Sequence, residues 1–218
     1  MLYKVERLEI HSENAAKPCS QSSAALNRWL RRMPQVQRAL DYGCGKLRYT
    51  PLIADKCAEL ALVDSSIQLD RIQKIRGKKT TVRMYAKRRW PRCQIFSIEE
   101  FEQCRVRYEF VLCANVLSAI PDQRVRSSAL LRIASALAKK GTCLFVSQYR
   151  NSYFKEVARS PHAKRHLDGW ILETQRGAYY YGILSKEKLI YLVSTHNLSV
   201  VQAWTEGESA YVVAGHAV

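Results

Sequence analysis

Two aspartates and two glycines carry the first chemical signal in this chain. "LDYGCG" (Leu40–Gly45) places Asp41 two residues before Gly43 and four before Gly45, and Asp64 follows Gly45 by 19 residues. Glycine at 43 and 45 lets the backbone take torsion angles closed to other residues and come close to a ligand. A carboxylate just ahead of such a bend suits a cationic, amino-bearing ligand and would meet a pyrophosphate badly. A second carboxylate at the tip of the next strand can accept both hydroxyls of a ribose in charge-assisted hydrogen bonds. The turn reads G-C-G-K-L-R, without the third glycine of the dinucleotide fingerprint, which argues against NAD or FAD. Either aspartate alone could cap a helix, and either glycine could serve a simple turn. Their joint placement at the ends of consecutive strands points to a nucleoside-bearing ligand.

Such residues need a parallel sheet to hold them. "RALDY" and "ELALVD" (Glu59–Asp64) read as buried strands. Helices are expected at Ser20–Arg32, stopped by Pro34; at Tyr49–Cys57, with Pro51 in its first turn; and at Ser65–Ile75, with Ile67, Leu69, Ile72 and Ile75 inward. "CQIF" (Cys93–Phe96), "YEFVLCAN" (Tyr108–Asn115) and "TCLFVSQY" (Thr142–Tyr149) are further strands. Asp122–Gly141 reads as an amphipathic helix with cations in its last turn and glycine beyond. "WILETQRGAYYYGIL" suggests a hairpin turning near Arg176 and Gly177. A helix at Ser185–Asn197 and two strands around "TEGE" close the chain. The expected fold is α/β: a doubly wound, mostly parallel seven-stranded sheet, a C-terminal antiparallel hairpin and an N-terminal helical cap. In that division 1–37 form a flap and helix, and 38–218 the ligand-binding domain.

The bulk composition narrows the class. The chain has 218 residues, 47% apolar, enough for one α/β domain with a substantial core. Its longest apolar run, "FVLCANVLSAI" (Phe110–Ile120), falls short of the roughly 20 residues that cross a bilayer. The opening "MLYKVERLEIHSENAAK" has no apolar block, so no secretory signal is expected. Seven Cys without a C-x-x-C pair read as thiols rather than a disulfide frame, and no Cys/His spacing suggests a metal. A cytoplasmic protein with neither membrane nor metal partner is expected. The net charge of +16 is uneven: Arg71–Ile98 holds ten Lys or Arg and no acid, against 25 basic and 19 acidic residues elsewhere. That segment is either a solvated face or a polyanion-binding patch, with Tyr85 and Trp90 interleaved to stack on bases.

Together these residues resemble the class I methyltransferases that use S-adenosylmethionine. "LDYGCG" is similar to their glycine motif, "LVD" to their second strand ending in an acid, and "EFVLCANVLSAIP" (Glu109–Pro121) to their fourth strand with Glu in place of Asp. "ALLRIASALAKKGTCLFVS" and "YGILSKEKLIYLVSTHNLSVVQAW" look like their later helices and closing strands, so the resemblance spans most of Arg38–His216. It implies S-adenosylmethionine as cofactor, with Asp41 orienting the methionine amino group and Gly43, Cys44 and Gly45 wrapping the ligand's middle. Asp64 would hold the ribose, with Ser65 and Leu69 nearby. Ser97 and Ile98, or Glu99 in a shifted register, would sit beside adenine, while Ala114, Asn115 and Leu117 would line the reacting end. Leu47 departs from the family by replacing its frequent third glycine.

The acceptor leaves fewer marks. Neither an N-P-P-Y-type tetrapeptide nor a Pro-Cys pair follows the fourth strand, which disfavours methylation of a DNA amino group or attack through a cysteine. No catalytic residue is assigned. "HSENAAKP" (His11–Pro18) suits a flap over the cofactor, with His11 or Lys17 near substrate. Residues 149–182 suit an acceptor-side insert, rich in Arg150, Lys155, Arg159, Lys164 and Arg165, with His162 and His166 as bases or plain surface residues. RNA or DNA is the leading acceptor, held by the 71–92 patch with Lys87, Arg88, Arg89 and Trp90, and by Arg150 and Tyr180. A small-molecule or protein acceptor is the alternative, and a non-catalytic cofactor-binding partner subunit the third reading.

Overall fold

The computed structural model describes residues 2–150, 152–175 and 177–217. The chain opens with a hairpin, β1 (Leu2–Val5) and β2 (Leu8–His11), and two short 3-10 turns at Ser12–Ala15 and Cys19–Gln21. Helix α1 (Ala24–Arg32) starts on Ser23, whose Oγ accepts the N–H of Leu26, and buries Leu26 and Leu30. Then come β3 (Val36–Tyr42), α2 (Thr50–Ala54), β4 (Cys57–Asp64), α3 (Ser66–Asp70), a hairpin of β5 (Gln73–Ile75) and β6 (Lys78–Thr80), and α4 (Val82–Arg89). They are followed by β7 (Gln94–Ser97), α5 (Ile98–Phe101), β8 (Tyr108–Ala114), a 3-10 turn at Leu117–Ala119, α6 (Gln123–Ala136) and β9 (Leu137–Gln148). The last third holds α7 (Ser152–Arg159), β10 (Ala163–His166), β11 (Gly169–Thr174), β12 (Gly177–Gly182), α8 (Lys186–Ser194), β13 (Ser199–Glu206) and β14 (Ser209–Gly215).

Seven strands form the main sheet in the order β13-β14-β9-β8-β3-β4-β7, parallel from β9 to β7 and antiparallel at the β13–β14 end. From β3 the chain steps outward to β4 and β7, then returns to β8 on the other side. The tips of β3, β4 and β8 therefore flank the switch point where open α/β sheets bind ligands. The α/β expectation holds, and so does the closing antiparallel hairpin.

A second sheet was not anticipated. β1 and β2 join β12, β11 and β10 in the order β1-β2-β12-β11-β10, so the N-terminal segment is a hairpin as well as a helix. Tyr3, Ile10, Ile171 and Tyr180 of this sheet are buried in one core with Leu117, Ile120 and Leu184. Arg126 of α6 fastens it: its guanidinium donates to Asp168 Oδ2 at 2.7 Å, and it also reaches the Tyr180 hydroxyl and the Ile120 carbonyl.

Helix boundaries differ from the sequence reading: the helix expected from Ser20 begins at Ala24 and the one expected to Asn197 ends at Ser194. The helix expected over Tyr49–Cys57 ends at Ala54, since Cys57 already belongs to β4. Helix α3 stops at Asp70 and the chain turns into the β5–β6 hairpin, so Leu69 and Ile75 are buried while Ile67 and Ile72 face out. The long helix stops at Ala136, not Gly141, because Leu137 is drawn into the sheet opposite Tyr108. Gly141 is therefore no helix cap. A Cβ there would lie 2.7 Å from the Tyr108 carbonyl oxygen, so glycine allows two strands to close.

Candidate functional site

The glycine bend is tied to the next strand before any ligand is considered. The N–H groups of Gly43 and Cys44 both donate to the Val63 carbonyl, at 2.8 and 3.1 Å. Gly43 (φ +77°) and Gly45 (φ +55°) lie in the left-handed region, and a Cβ on Gly43 would come within 2.2 Å of Val116 Cγ2. Leu47 also holds a left-handed φ of 58° while completely buried, so the backbone keeps a glycine-like conformation where the side chain serves the core.

Asp41 and Asp64 stand on either side of this bend. Asp41 is buried one residue from the end of β3, and Thr50 Oγ1 donates to its Oδ2 at 2.6 Å. Burial pushes its carboxyl up to about 7; the Asp64 charge adds to this, while the Thr50 bond and Arg48 oppose it. Asp64 accepts the Gly45 N–H through Oδ2 and the Ser65 N–H through Oδ1, both at 2.8 Å. Burial raises its carboxyl too, against the pull of those two N–H groups.

Both carboxylates open into one cleft enclosing about 1020 Å³, part of it continuous with solvent. Gly43, Cys44, Gly45, Ser65, Ile98, Ala114 and Asn115 share its walls with Asp41 and Asp64. Val116, Ala119, Ile120, Val125 and Ala129 make one side apolar, and Tyr3, Glu13, Ala16 and Lys17 come from the N-terminal segment. Asn115 closes β8 in a left-handed turn (φ 60°), its Oδ1 accepting the Gln148 N–H at 2.8 Å.

Residues 13–203 match the model of the methyltransferase domain family. The chain belongs to the class I S-adenosylmethionine-dependent methyltransferases. This methyltransferase is 36% identical over 213 residues to the Escherichia coli (strain K12) protein YmfD, itself described as uncharacterized, spanning 98% of this chain and 95% of that one. Its fold matches the DhpI–SAM–HEP complex with TM-score 0.64 at 15% identity, over 93% of this chain and 90% of that one. It also matches the N-methyltransferase NodS of Bradyrhizobium japonicum WM9, in complex with S-adenosyl-l-homocysteine, with TM-score 0.57 at 15% identity, over 87% and 85% of the two chains.

Several residues expected in the methyltransferase site are elsewhere. Leu69 and Leu117 are in the core. Ser97 is spent as the cap of α5: its Oγ accepts the Glu100 N–H, and Glu100 reaches back to the Ser97 N–H. Lys87, Arg88 and Arg89 end α4, which packs on the sheet face near β4 and β7; Lys87 Nζ donates to the Cys93 carbonyl and Arg89 lies over Trp90. Arg150 lies over Tyr149, away from the cleft walls. Tyr180 cannot stack on an acceptor, because its ring is buried and its hydroxyl is engaged by Asp168 and Arg126. Tyr3, Gln68, Lys46, Arg48 and Tyr49 line the cleft without having been singled out for it, whereas Glu13 comes from the His11–Pro18 segment expected as a flap. Only the alternation of "LYKV" and "LEIH" marks the hairpin that delivers Tyr3.

Proposed function

We propose that this protein transfers a methyl group from S-adenosylmethionine to an acceptor that enters beside the β8 and β9 tips. The observation that carries this reading is the pair of carboxylates, Asp41 and Asp64, flanking a glycine bend in one cleft. When bound, S-adenosylmethionine supplies an electrophilic methyl on a sulfonium. Asp41 receives the ligand's ammonium. The bare Gly43–Gly45 backbone leaves room for its chain. Asp64 keeps lone pairs beyond those taken by Gly45 and Ser65, enough for ribose hydroxyls. Ile98, Val116, Ala119 and Ile120 offer an apolar wall to a purine.

An adjoining polar cavity of about 980 Å³, partly open to solvent, shares Arg48, Tyr49 and Asn115 with the cleft and has Gln148 and Glu208 on its far wall. It suits a polar acceptor brought in line with the methyl. Calorimetry with S-adenosylmethionine, then tritiated-methyl transfer to RNA, DNA, protein and small-molecule extracts, tests the reading. Tight binding abolished by Asp64→Ala, with label in one extract, is expected. No binding at millimolar ligand sinks it, and binding without transfer to any extract favours a non-catalytic partner subunit.

A nucleic-acid acceptor is favoured by a separate observation. Lys74, Arg76, Lys78, Lys79, Lys87, Arg88, Arg89 and Arg92 are all exposed on the β5–β6 hairpin and around α4. Lys17 and Lys46 carry positive charge on to the cleft. A strand held there would cross the ribose side of the cleft to reach the β8 tip. Its binding should weaken roughly tenfold or more between about 50 and 200 mM salt. Salt-independent or absent binding of a single-stranded RNA oligomer leaves the small-acceptor reading.

A further inference from the structure

A groove runs along α1 at the β13 end of the main sheet, far from the cationic hairpin. It encloses about 1270 Å³, partly open to solvent. Phe110 and Val213, both buried, make its floor, and Trp29 of α1 and Trp204 of β13 stand on its walls. Each indole is braced by an aromatic neighbour. Trp29 stacks on Phe110 with ring centroids 5.8 Å apart, and Trp204 lies nearly parallel to Tyr211, at 4.9 Å and 7°. Both tryptophans are only half-buried, so aromatic surface is left open to the groove. Rings held in place this way offer a flat partner a stacking surface that costs little to order.

The groove continues the acceptor cavity. Ala25, Arg28 and Glu206 line both, and that cavity in turn shares Arg48, Tyr49 and Asn115 with the cleft. One trough therefore leads from the cleft, past the Arg28–Glu206 ion pair, to the two tryptophans. Beyond that pair the charge is positive. Helix α1 carries Arg28, Arg31 and Arg32 and no acid. Glu206 spends its charge on Arg28, whereas Arg32, exposed on the groove three residues after Trp29, forms no ion pair among the described residues. The other acid nearby, Glu208, lines the acceptor cavity and not the groove, and Gln148 Nε2 donates to it at 2.5 Å. Braced indoles beside an unpaired guanidinium suit a planar ring joined to an anion, and a nucleotide has that chemistry.

We propose that this groove is a stacking subsite for a nucleotide next to the methylated one in a single-stranded nucleic acid. Its base lies against Trp204 and Trp29, and its phosphate meets Arg32. The inference rests on the nucleic-acid reading of the acceptor. It gives the strand two anchors, the cationic hairpin beyond β4 and the groove beside β13, with the cleft between them.

The test is fluorescence anisotropy with labelled single strands of about 12 nucleotides: one sequence as RNA and as DNA, and an abasic DNA of the same length. Trp204→Leu should weaken the better bound of the two base-bearing strands at least about fivefold, with an unchanged salt slope. It should leave the abasic strand's affinity as it was. Arg32→Gln, an exposed change, should flatten the salt slope by roughly 0.7, the share of one phosphate on a single strand. Equal loss with base-bearing and abasic strands, or no loss at all, overturns the proposal. An unchanged slope in Arg32→Gln also overturns it, and that result stands even where Trp204→Leu fails to fold. A wild type that binds neither base-bearing strand sinks the nucleic-acid reading itself, so the wild-type titration tells the two failures apart.

Discussion

Lowering the pH should weaken cofactor binding through a single buried carboxyl. In the ligand-free cleft Asp41 is held up at about 7 by burial, with the Asp64 charge adding to it. A ligand ammonium favours the ionised form and lowers such a carboxyl by about one to three units, so the bound state titrates at lower pH. The free protein must then release a proton to bind. Between pH 6.5 and 5.5 the neutral fraction of Asp41 rises from about three quarters to nearly all. The dissociation constant should rise about two- to eightfold over that interval, roughly 0.5–1.2 kcal/mol. The ligand's own α-amino group, at about 7.7–8.0 when free, stays protonated throughout and contributes no slope. Calorimetry at the two pH values measures this directly. Repeating it at pH 6.5 in buffers of different ionisation heat should count about one half to three quarters of a proton released per ligand. Asp41→Asn retains every other titrating group of the cleft, so it should bind more weakly with neither the slope nor the proton release. A flat wild-type affinity, or an Asp41→Asn variant that keeps the slope, would refute the reasoning.

Gly43→Ala should reduce cofactor affinity at least tenfold, since its Cβ meets Val116 Cγ2 at 2.2 Å in a left-handed backbone; Val116→Ala added to it should restore part of the loss by calorimetry. Leu47→Gly relieves a left-handed leucine worth about 1–2 kcal/mol but removes a fully buried side chain worth about 2–5, so chemical denaturation should show net destabilisation. Arg126→Met strands the Asp168 carboxylate and should lower stability by about 3–5 kcal/mol, whereas replacing both partners by apolar residues should do less harm. Burial raises Asp168, but the Arg126 and Tyr180 bonds outweigh it and hold the carboxyl below its usual range. The contribution of this pair is therefore full above the unfolded value and fades as pH falls through the folded one, which acid titration of the wild type against the double variant can follow.

Local sequence determined the strand tips and the bend between them. Alternating apolar blocks mark β3, β4, β8 and β9, and two glycines next to Asp41 leave few backbone choices, so the place of the bend needs no distant residue. Side chains that depend on non-local pairing were not legible in that way. Ser97 follows the right strand, but a glutamate three residues on claims its hydroxyl. Leu117 follows β8, but the 3-10 turn after it points the side chain into the core. Gln68 is outside the expected inward set of Ile67, Leu69, Ile72 and Ile75, yet α3 packs it against the Gly45 carbonyl.

What only the tertiary structure decided is the strand pairing that anchors the N-terminal segment beside the cleft. β2 pairs with β12, joining Ile10 to Ala178, and carries β1 with it; no periodicity within either segment encodes that partner. Hydrophobic spacing tells each strand which face to bury; the choice of neighbour comes from the core that Tyr3, Ile10 and Tyr180 complete together.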